Sequence, residues 1–190
     1  STFDVHLTQK GTWRIASVSD GVMGSYDLGG KTERLPRGTT TANLAERIPA
    51  GATNVKTAES NNRNEIFVTV GEPTTTLFKP TGKGIELVPV THPNDLIAGE
   101  AATFQFLLDG KPAAGLPVTV IPGGIRYRDQ LGQVDLKTGA DGKVEINWAE
   151  PGLYWLNVTT PQAERAEGAP EPATPQRRAS YVTTLEVLAP

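Results

Sequence analysis

The sequence predicts an all-β protein built from two β-sandwich-like domains, and three observations support this prediction. Apolar and polar residues alternate in many short runs, which is typical of strands with one buried face. The 190 residues include 20 glycines and 15 prolines, a composition that favours tight turns between short strands. Only the stretch "TTTANLAERIPAG" carries helix start and stop signals. It is long enough for about two helical turns.

A linker rich in proline and glycine, "GEPTTTLFKPTGKG", separates the two predicted domains. We predict the C-terminal part of a first β domain, with the short helix, over residues 1–80. Residues 81–190 are predicted to form a complete immunoglobulin-like or transthyretin-like β-sandwich.

In the first domain we expect a β-hairpin at the very start of the chain. Phe3, Val5 and Leu7 alternate with polar residues, a polar turn follows, and Trp13 and Ile15 alternate again. The stretch "VMGSYDL" predicts a third strand. The stretches "ATNVKTAES" and "EIFVTVG" predict two more strands around an "NNRN" turn, because asparagine favours turns.

In the second domain we expect about seven strands, the number typical of a sandwich. The strands are predicted in "IELVPV", "ATFQFLLDGKP", "AAGLPVTVIPGG", "GLYWLNVTT" and "ASYVTTLEVLAP". The stretch "LGQVDLKTGADGKVEINW" predicts a hairpin that turns at Asp141 and Gly142.

The stretch "KVEINWAEPGLYWLNVTT" is similar in pattern to the opening hairpin, which predicts one structural unit used twice. The second copy follows a set of strands that begins near Ile85, whereas the first copy begins at residue 1. We therefore expect the first domain to be truncated, with its opening strands before residue 1.

Composition and charge argue against several classes of function. The chain has no cysteine, so disulfides, thiolate metal sites and cysteine nucleophiles are excluded. The net charge is −3 and no basic cluster is visible, so we expect no nucleic-acid partner. No apolar run approaches the roughly 20 residues that span a bilayer.

The most plausible metal ligands are His92, Asp95 and Glu100, which lie close together in and just after the loop "THPNDL". One imidazole and two carboxylates could hold a divalent cation. The alternative is an ordinary polar loop. No G-x-S-x-G nucleophile motif, P-loop or dinucleotide fingerprint occurs, so we expect no enzymatic activity.

A second candidate site lies in "PGGIRYRDQLG", where Arg126, Tyr127, Arg128 and Asp129 crowd a loop flanked by glycines. Arginine and tyrosine are common at the centres of protein interfaces, so this loop is a candidate for partner binding. The alternative is a solvated hairpin end with an arginine–aspartate pair of little energetic weight.

Two stretches carry a resemblance to a known family: "GKGIELVPVTHPNDLIAGEAATFQFLLDGKPAAGLPVTVIPGG" and "TGADGKVEINWAEPGLYWLNV". They resemble the bacterial domain-of-unknown-function 4198 family of periplasmic proteins, often described as components of nickel or cobalt uptake systems. The resemblance runs over nearly the whole chain. It implies an export signal, a location in the periplasm of a Gram-negative bacterium, and opening strands before residue 1.

The resemblance also implies a function. It favours a non-enzymatic periplasmic accessory or binding protein associated with nickel or cobalt uptake, with an envelope protein or transporter component as partner. The cofactor stays unassigned; its candidate is a divalent transition metal bound by the missing N-terminal region. The alternative function is a structural or adhesive β-sandwich module that binds another envelope protein.

Overall fold

The computed structural model describes residues 4–124, 132–161 and 176–190, and it confirms the all-β prediction. Within these ranges the chain forms twelve strands and one helix. Their bounds are β1 (Gly11–Leu28), β2 (Lys31–Arg34), α1 (Leu44–Arg47), β3 (Thr53–Val70), β4 (Ile85–Pro89), β5 (Leu96–Ile97), β6 (Ala101–Leu108), β7 (Lys111–Pro112), β8 (Pro117–Pro122), β9 (Val134–Lys137), β10 (Lys143–Asn147), β11 (Gly152–Thr159) and β12 (Gln176–Leu188).

The strands form two sheets that together make a β-sandwich. The larger sheet has the order β2-β1-β3-β12-β11-β8-β9, with β5 also beside β12. The smaller sheet has the order β10-β6-β4, with β7 also beside β6. Strand β12 runs parallel to β3 and to β5, and the other neighbouring strands are antiparallel.

The core lies between the sheets and takes alternate residues from both. Phe104, Phe106 and Trp148 come from the smaller-sheet side, and Leu156 and Tyr181 from the larger sheet; all five are almost fully buried. The rings of Phe106 and Tyr181 meet edge to face, with centroids 5.7 Å apart. Burying one such side chain contributes roughly 1.5–3 kcal/mol, so this row holds the two sheets together.

Strands β1 and β3 form a long antiparallel ribbon. Each is 18 residues long, which corresponds to about 60 Å at the usual rise per residue. They pair over nearly their whole length. Only the stretch from Ala58 to Glu65 of β3 pairs with β12, so one end of the ribbon reaches beyond β12.

The predicted opening hairpin is wrong within the described residues. Residues 4–10 form no strand, and Trp13 and Ile15 belong to β1, whose partner is β3. The stretch "VMGSYDL" continues β1 instead of forming a third strand. The reason is that the β1–β3 ladder satisfies far more backbone groups than a short hairpin, which is marginal by itself.

The predicted "NNRN" turn is also wrong. Residues Asn61 to Asn64 lie in the middle of β3, with β1 on one side and β12 on the other. Two flanking ladders satisfy the backbone here, and this pairing overrides the turn preference of asparagine.

The two hairpins predicted in the second half are not formed either. Strand β9 pairs with β8 in the larger sheet, whereas β10 pairs with β6 in the smaller one. The turn at Asp141 and Gly142 therefore carries the chain from one sheet to the other. Strand β11 returns to the larger sheet, so β10 and β11 are no hairpin, and the predicted repeat of one unit is wrong.

Helix α1 lies within the stretch where the sequence predicts a helix, and the segment predicted as a linker forms no strand. Helix α1 is a single turn instead of two, with Leu44 and Ile48 only half-buried, and no helix in the described ranges could cross a membrane. No strand forms between Gly71 and Gly84. Because β3 pairs with β12, one sheet contains strands from both predicted domains. The boundary at residue 80 stays a prediction.

Candidate functional site

Strand β3 lies between β1 and β12, so its side chains alternate between two faces of the larger sheet. One face, here called the inner face, points towards the smaller sheet. The other, the outer face, points away from it. The two faces have different chemistry, and each carries a candidate site.

A row of apolar side chains crosses the outer face. Ile15 pairs with Ile66 on the neighbouring strand, and Trp155 pairs with Ile121. Thr184 of β12 lies between the two pairs. It is the ladder partner of Trp155, and the residue before it, Thr183, is the ladder partner of Glu65, which precedes Ile66. We call Ile15, Ile66, Trp155 and Ile121 the outer band. Ile66 and Trp155 are 41% and 40% exposed.

The surroundings of the outer band differ on its two sides. On one side Trp13 pairs with Val68, which extends the apolar surface. On the other side Ser17 pairs with Asn64. Asn157, two residues after Trp155 on β11, lies on this side as well. Single exposed apolar residues need no explanation, but two apolar pairs that are separated only by Thr184 and bordered by a polar rim are typical of a protein interface.

The inner face of β3 carries a row of polar residues, which we call the inner row: Glu59, Asn61, Arg63 and Glu65. The last three are buried, and Glu65 is only 1% exposed. Burying such groups costs free energy unless they find partners. The partners of the inner row therefore decide whether this part of the sheet is stable.

Glu65 is the centre of a buried ion-pair network. Its Oε1 accepts a hydrogen bond from the Tyr181 hydroxyl at 2.5 Å, and its Oε2 accepts one from Arg63 Nε at 2.7 Å. Arg14 Nε lies 3.7 Å from the same Oε2. Burial, helped by the adjacent Glu65 carboxylate, raises the pKa of Tyr181 well above its usual range, so this hydroxyl is a neutral donor. The network links β1, β3 and β12.

At the other end the inner face is open and its charges are paired. Lys83 forms an ion pair with Asp20, and Arg177 donates two hydrogen bonds to Asp109, from Nε at 3.2 Å and Nη2 at 2.6 Å. Arg177 Nη1 also lies 3.8 Å from Glu59. Asp20, Glu59, Lys83 and Arg177 line a cleft of about 290 Å³. The two carboxylates and the two cations of this lining balance in charge.

Two opposing influences act on the pKa of Asp109. Partial burial raises it, but the hydrogen bond from Arg177 and the one from the Gly84 N–H outweigh burial and hold it below its usual range. The same pairing raises the pKa of Arg177. This end of the inner face is therefore sensitive to acid.

His92 does not lie in a metal-ligating group. Its Nδ1 accepts a hydrogen bond from the Asn94 N–H at 3.0 Å, and its Nε2 lies 2.9 Å from the Thr74 carbonyl oxygen. Both ring nitrogens thus have protein partners. In the described ranges no three groups of histidine, aspartate or glutamate come close enough to hold a metal, so His92, Asp95 and Glu100 are not brought together. Metal binding there stays a prediction without geometric support.

The partners of His92 indicate a structural role. Thr12 Oγ1 lies 3.0 Å from His92 Nε2 and accepts a hydrogen bond from the Thr74 N–H at 2.9 Å. The Asn94 side chain bridges Thr69 and the Phe67 carbonyl oxygen. These contacts fasten the linker after β3 to β1 and to the loop before β5. The sequence contains no obvious signal for this network.

The loop with Arg126, Tyr127, Arg128 and Asp129 lies outside the described residues, so its role in partner binding stays a prediction. Sequence reasoning missed the outer band and the inner row, although the outer band leaves a signal. In β11, Leu153 and Trp155 are apolar on one face and Tyr154 and Leu156 on the other. A strand that is apolar on both faces indicates that both are covered.

Residues 1–162 match a protein family described as a domain of unknown function, DUF4198. The match covers most of the chain, including β1, β3 and β11. No curated protein matches the chain.

Proposed function

The chain belongs to the DUF4198 family, and from that premise we propose that it is a non-enzymatic accessory or binding protein of the bacterial periplasm. It works by binding another envelope protein through the outer band. The observation that carries the proposal is the row formed by Ile15, Ile66, Trp155 and Ile121 on the outer face of the larger sheet. The periplasmic location is supported by the family resemblance alone.

Physical chemistry favours a protein partner for this surface. Each Å² of apolar surface removed from water contributes roughly 25 cal/mol, so covering Ile66 and Trp155 is favourable. Tryptophan is also enriched among the residues that dominate interface energies. On one side of the outer band the rim residues Ser17, Asn64 and Asn157 carry hydroxyl and amide groups, and on the other side lies the exposed carboxylate of Glu186. A partner with an apolar contact surface fits the band best.

The test is photo-cross-linking in the native host, with a photoreactive amino acid in place of Ile66. The matched control places it at Val90, which is also exposed and apolar but lies away from the outer band. We expect one specific cross-linked envelope protein from position 66 and none from position 90. Equal products from both positions would contradict the proposal. A product that contains only a second copy of this chain would replace it with self-association.

A more specific part of the proposal concerns the cellular process in which the protein takes part. The family resemblance supports nickel or cobalt uptake. Calorimetric titration of the natural mature protein with Ni²⁺ and Co²⁺ tests it, with Mg²⁺ as the control ion. Saturable binding of the transition metals alone is the expected result. If the heats of the Ni²⁺ and Co²⁺ titrations match those of the Mg²⁺ titration, the proposed role in metal uptake is rejected. The proposal that the outer band binds a protein would not be affected.

A further inference from the structure

Two arginines on the inner face share a single carboxylate. The Nε atoms of Arg63 and Arg14 lie 2.7 Å and 3.7 Å from the same oxygen, Oε2 of Glu65. The arginine side chains are only 8% and 16% exposed. Two positive charges are therefore held close together at a largely buried place, with one negative charge between them.

The charges of this cluster do not balance. Tyr181 contributes a neutral hydroxyl, so Arg14, Arg63 and Glu65 together carry one net positive charge. At the open end of the inner face, by contrast, Lys83 and Arg177 each have a carboxylate of their own. The buried cluster is where a further anion would be stabilised most, because water screens charges least there.

The arginines also have unused hydrogen-bond donors. A guanidinium group carries five N–H donors, and in the described part of the chain the one hydrogen bond that these two arginines donate runs from Arg63 Nε to Glu65. Their terminal Nη groups have no protein acceptor in these ranges. The unused donors are those that form paired hydrogen bonds with a carboxylate.

The cluster borders an exposed part of β1. Ala16 is the neighbour of Glu65 across the ladder, and Val18 is the neighbour of Arg63. Both are exposed, Val18 by 49%. In the described ranges the smaller sheet therefore leaves this edge of the inner face uncovered, and the small side chains of Ala16 and Val18 line it.

We infer that Arg14 and Arg63 form a binding site for a carboxylate, with Glu65 holding the two guanidinium groups in place. The ligand's oxygens accept hydrogen bonds from the free Nη groups and neutralise the excess positive charge. The carboxylate belongs either to a free small acid or to an acidic side chain of a peptide. This site is separate from the outer band and does not depend on the proposed function.

The test is calorimetric titration of the full chain with acetate and with a short glutamate-containing peptide, at constant ionic strength. We expect saturable binding of at least one of them, and the tighter ligand identifies the source of the carboxylate. Arg14→Gln should weaken binding at least tenfold. The matched control is Arg34→Gln, which changes an exposed arginine on β2. This variant should bind both probes as tightly as the unmodified chain does.

Three results would overturn the inference. The first is the absence of saturable binding of both probes, and the second is unchanged binding by the Arg14→Gln variant. The third is that sulfate, titrated as a control anion, binds as tightly as acetate. Because a variant that fails to fold would also lose binding, Arg14→Lys is measured as well. It keeps the charge but lacks the paired donors, and we expect it to bind several-fold more weakly while its thermal unfolding stays close to that of the unmodified chain.

Discussion

The two faces of β3 differ most sharply at two consecutive residues. Glu65 is charged and buried, whereas Ile66 is apolar and exposed. The usual arrangement of a sandwich strand, apolar inside and polar outside, is reversed at this point. Phe67 restores it one residue later, because its ring joins the core.

The reversal indicates that the two faces serve different purposes. Inside, Glu65 joins Arg14, Arg63 and Tyr181, which come from three neighbouring strands, so the ion-pair network fixes how those strands lie together. Outside, Ile66 contributes little to the fold while it faces water. Changes on the inner face should therefore alter stability, and changes on the outer face should alter binding.

The largest expected effect is that of Glu65→Gln. This change removes the charge but keeps the shape, and it leaves Arg63 and Arg14 buried without a counter-charge. Breaking a buried ion pair in this way costs about 3–5 kcal/mol of unfolding free energy. Urea denaturation measures it. The matched outer-face change, Ile66→Thr, should stay within about 0.5 kcal/mol of the unmodified chain. Equal losses for the two variants would refute the division between the faces.

A smaller loss is expected from Gly84→Ala, which tests how tightly the inner row is packed. A Cβ at this position would lie 1.9 Å from Asn61 Oδ1, and the backbone φ is +68°. Overpacking of this kind costs roughly 1–3 kcal/mol. Gly82→Ala is the control, because its φ is also positive but its Cβ would meet no atom within 4 Å. Similar losses of thermal stability in both would mean that backbone strain, and not the inner row, is responsible.

His92→Ala should cost about 1–2 kcal/mol, because it leaves the Asn94 N–H without its acceptor and removes the contacts of Nε2 with the Thr74 carbonyl oxygen and Thr12. The loss should be the same with and without added Ni²⁺, as measured by thermal unfolding. If His92 were a metal ligand instead, added Ni²⁺ would stabilise the unmodified chain and not the variant.

The smallest expected effect is a loss of folding stability at low pH. Partial burial raises the folded pKa of Asp109, but the hydrogen bond from Arg177 outweighs it and holds this pKa below that of an unfolded aspartate, which is about 3.9. The stabilisation is thus present above about pH 4 and is lost as the pH falls through the folded pKa. Because the pair is partly exposed, it contributes about 0.5 kcal/mol or less. Asp109→Asn should lose less stability between pH 5 and pH 3 than the unmodified chain, as judged from urea midpoints. A steeper loss in the variant would reverse the expected sign.

The sequence predicts some parts of this fold well. The strands β4, β6, β8, β11 and β12 lie where apolar alternation places them, because local pattern and burial agree there. The linker lies where proline and glycine place it. Those features depend on nearby residues alone.

Other parts depend on partners that are distant in the sequence. Asn61 to Asn64 resemble a turn, yet they form a strand because β1 and β12 flank them. The turn at Gly142 resembles a hairpin, yet its two strands pair in different sheets. The inner row could not be predicted for the same reason, since Arg14, Glu65 and Tyr181 are brought together only by the β1–β3–β12 pairing.

The central claim is that Ile66 serves binding and Glu65 serves stability. The most direct test is the affinity of the Ile66→Ser variant for the partner captured by cross-linking at position 66, measured by calorimetry on chains shown to be folded. We predict that the affinity falls at least tenfold while the urea midpoint stays unchanged. An unchanged affinity, or a loss of affinity that follows a loss of stability, would contradict the claim.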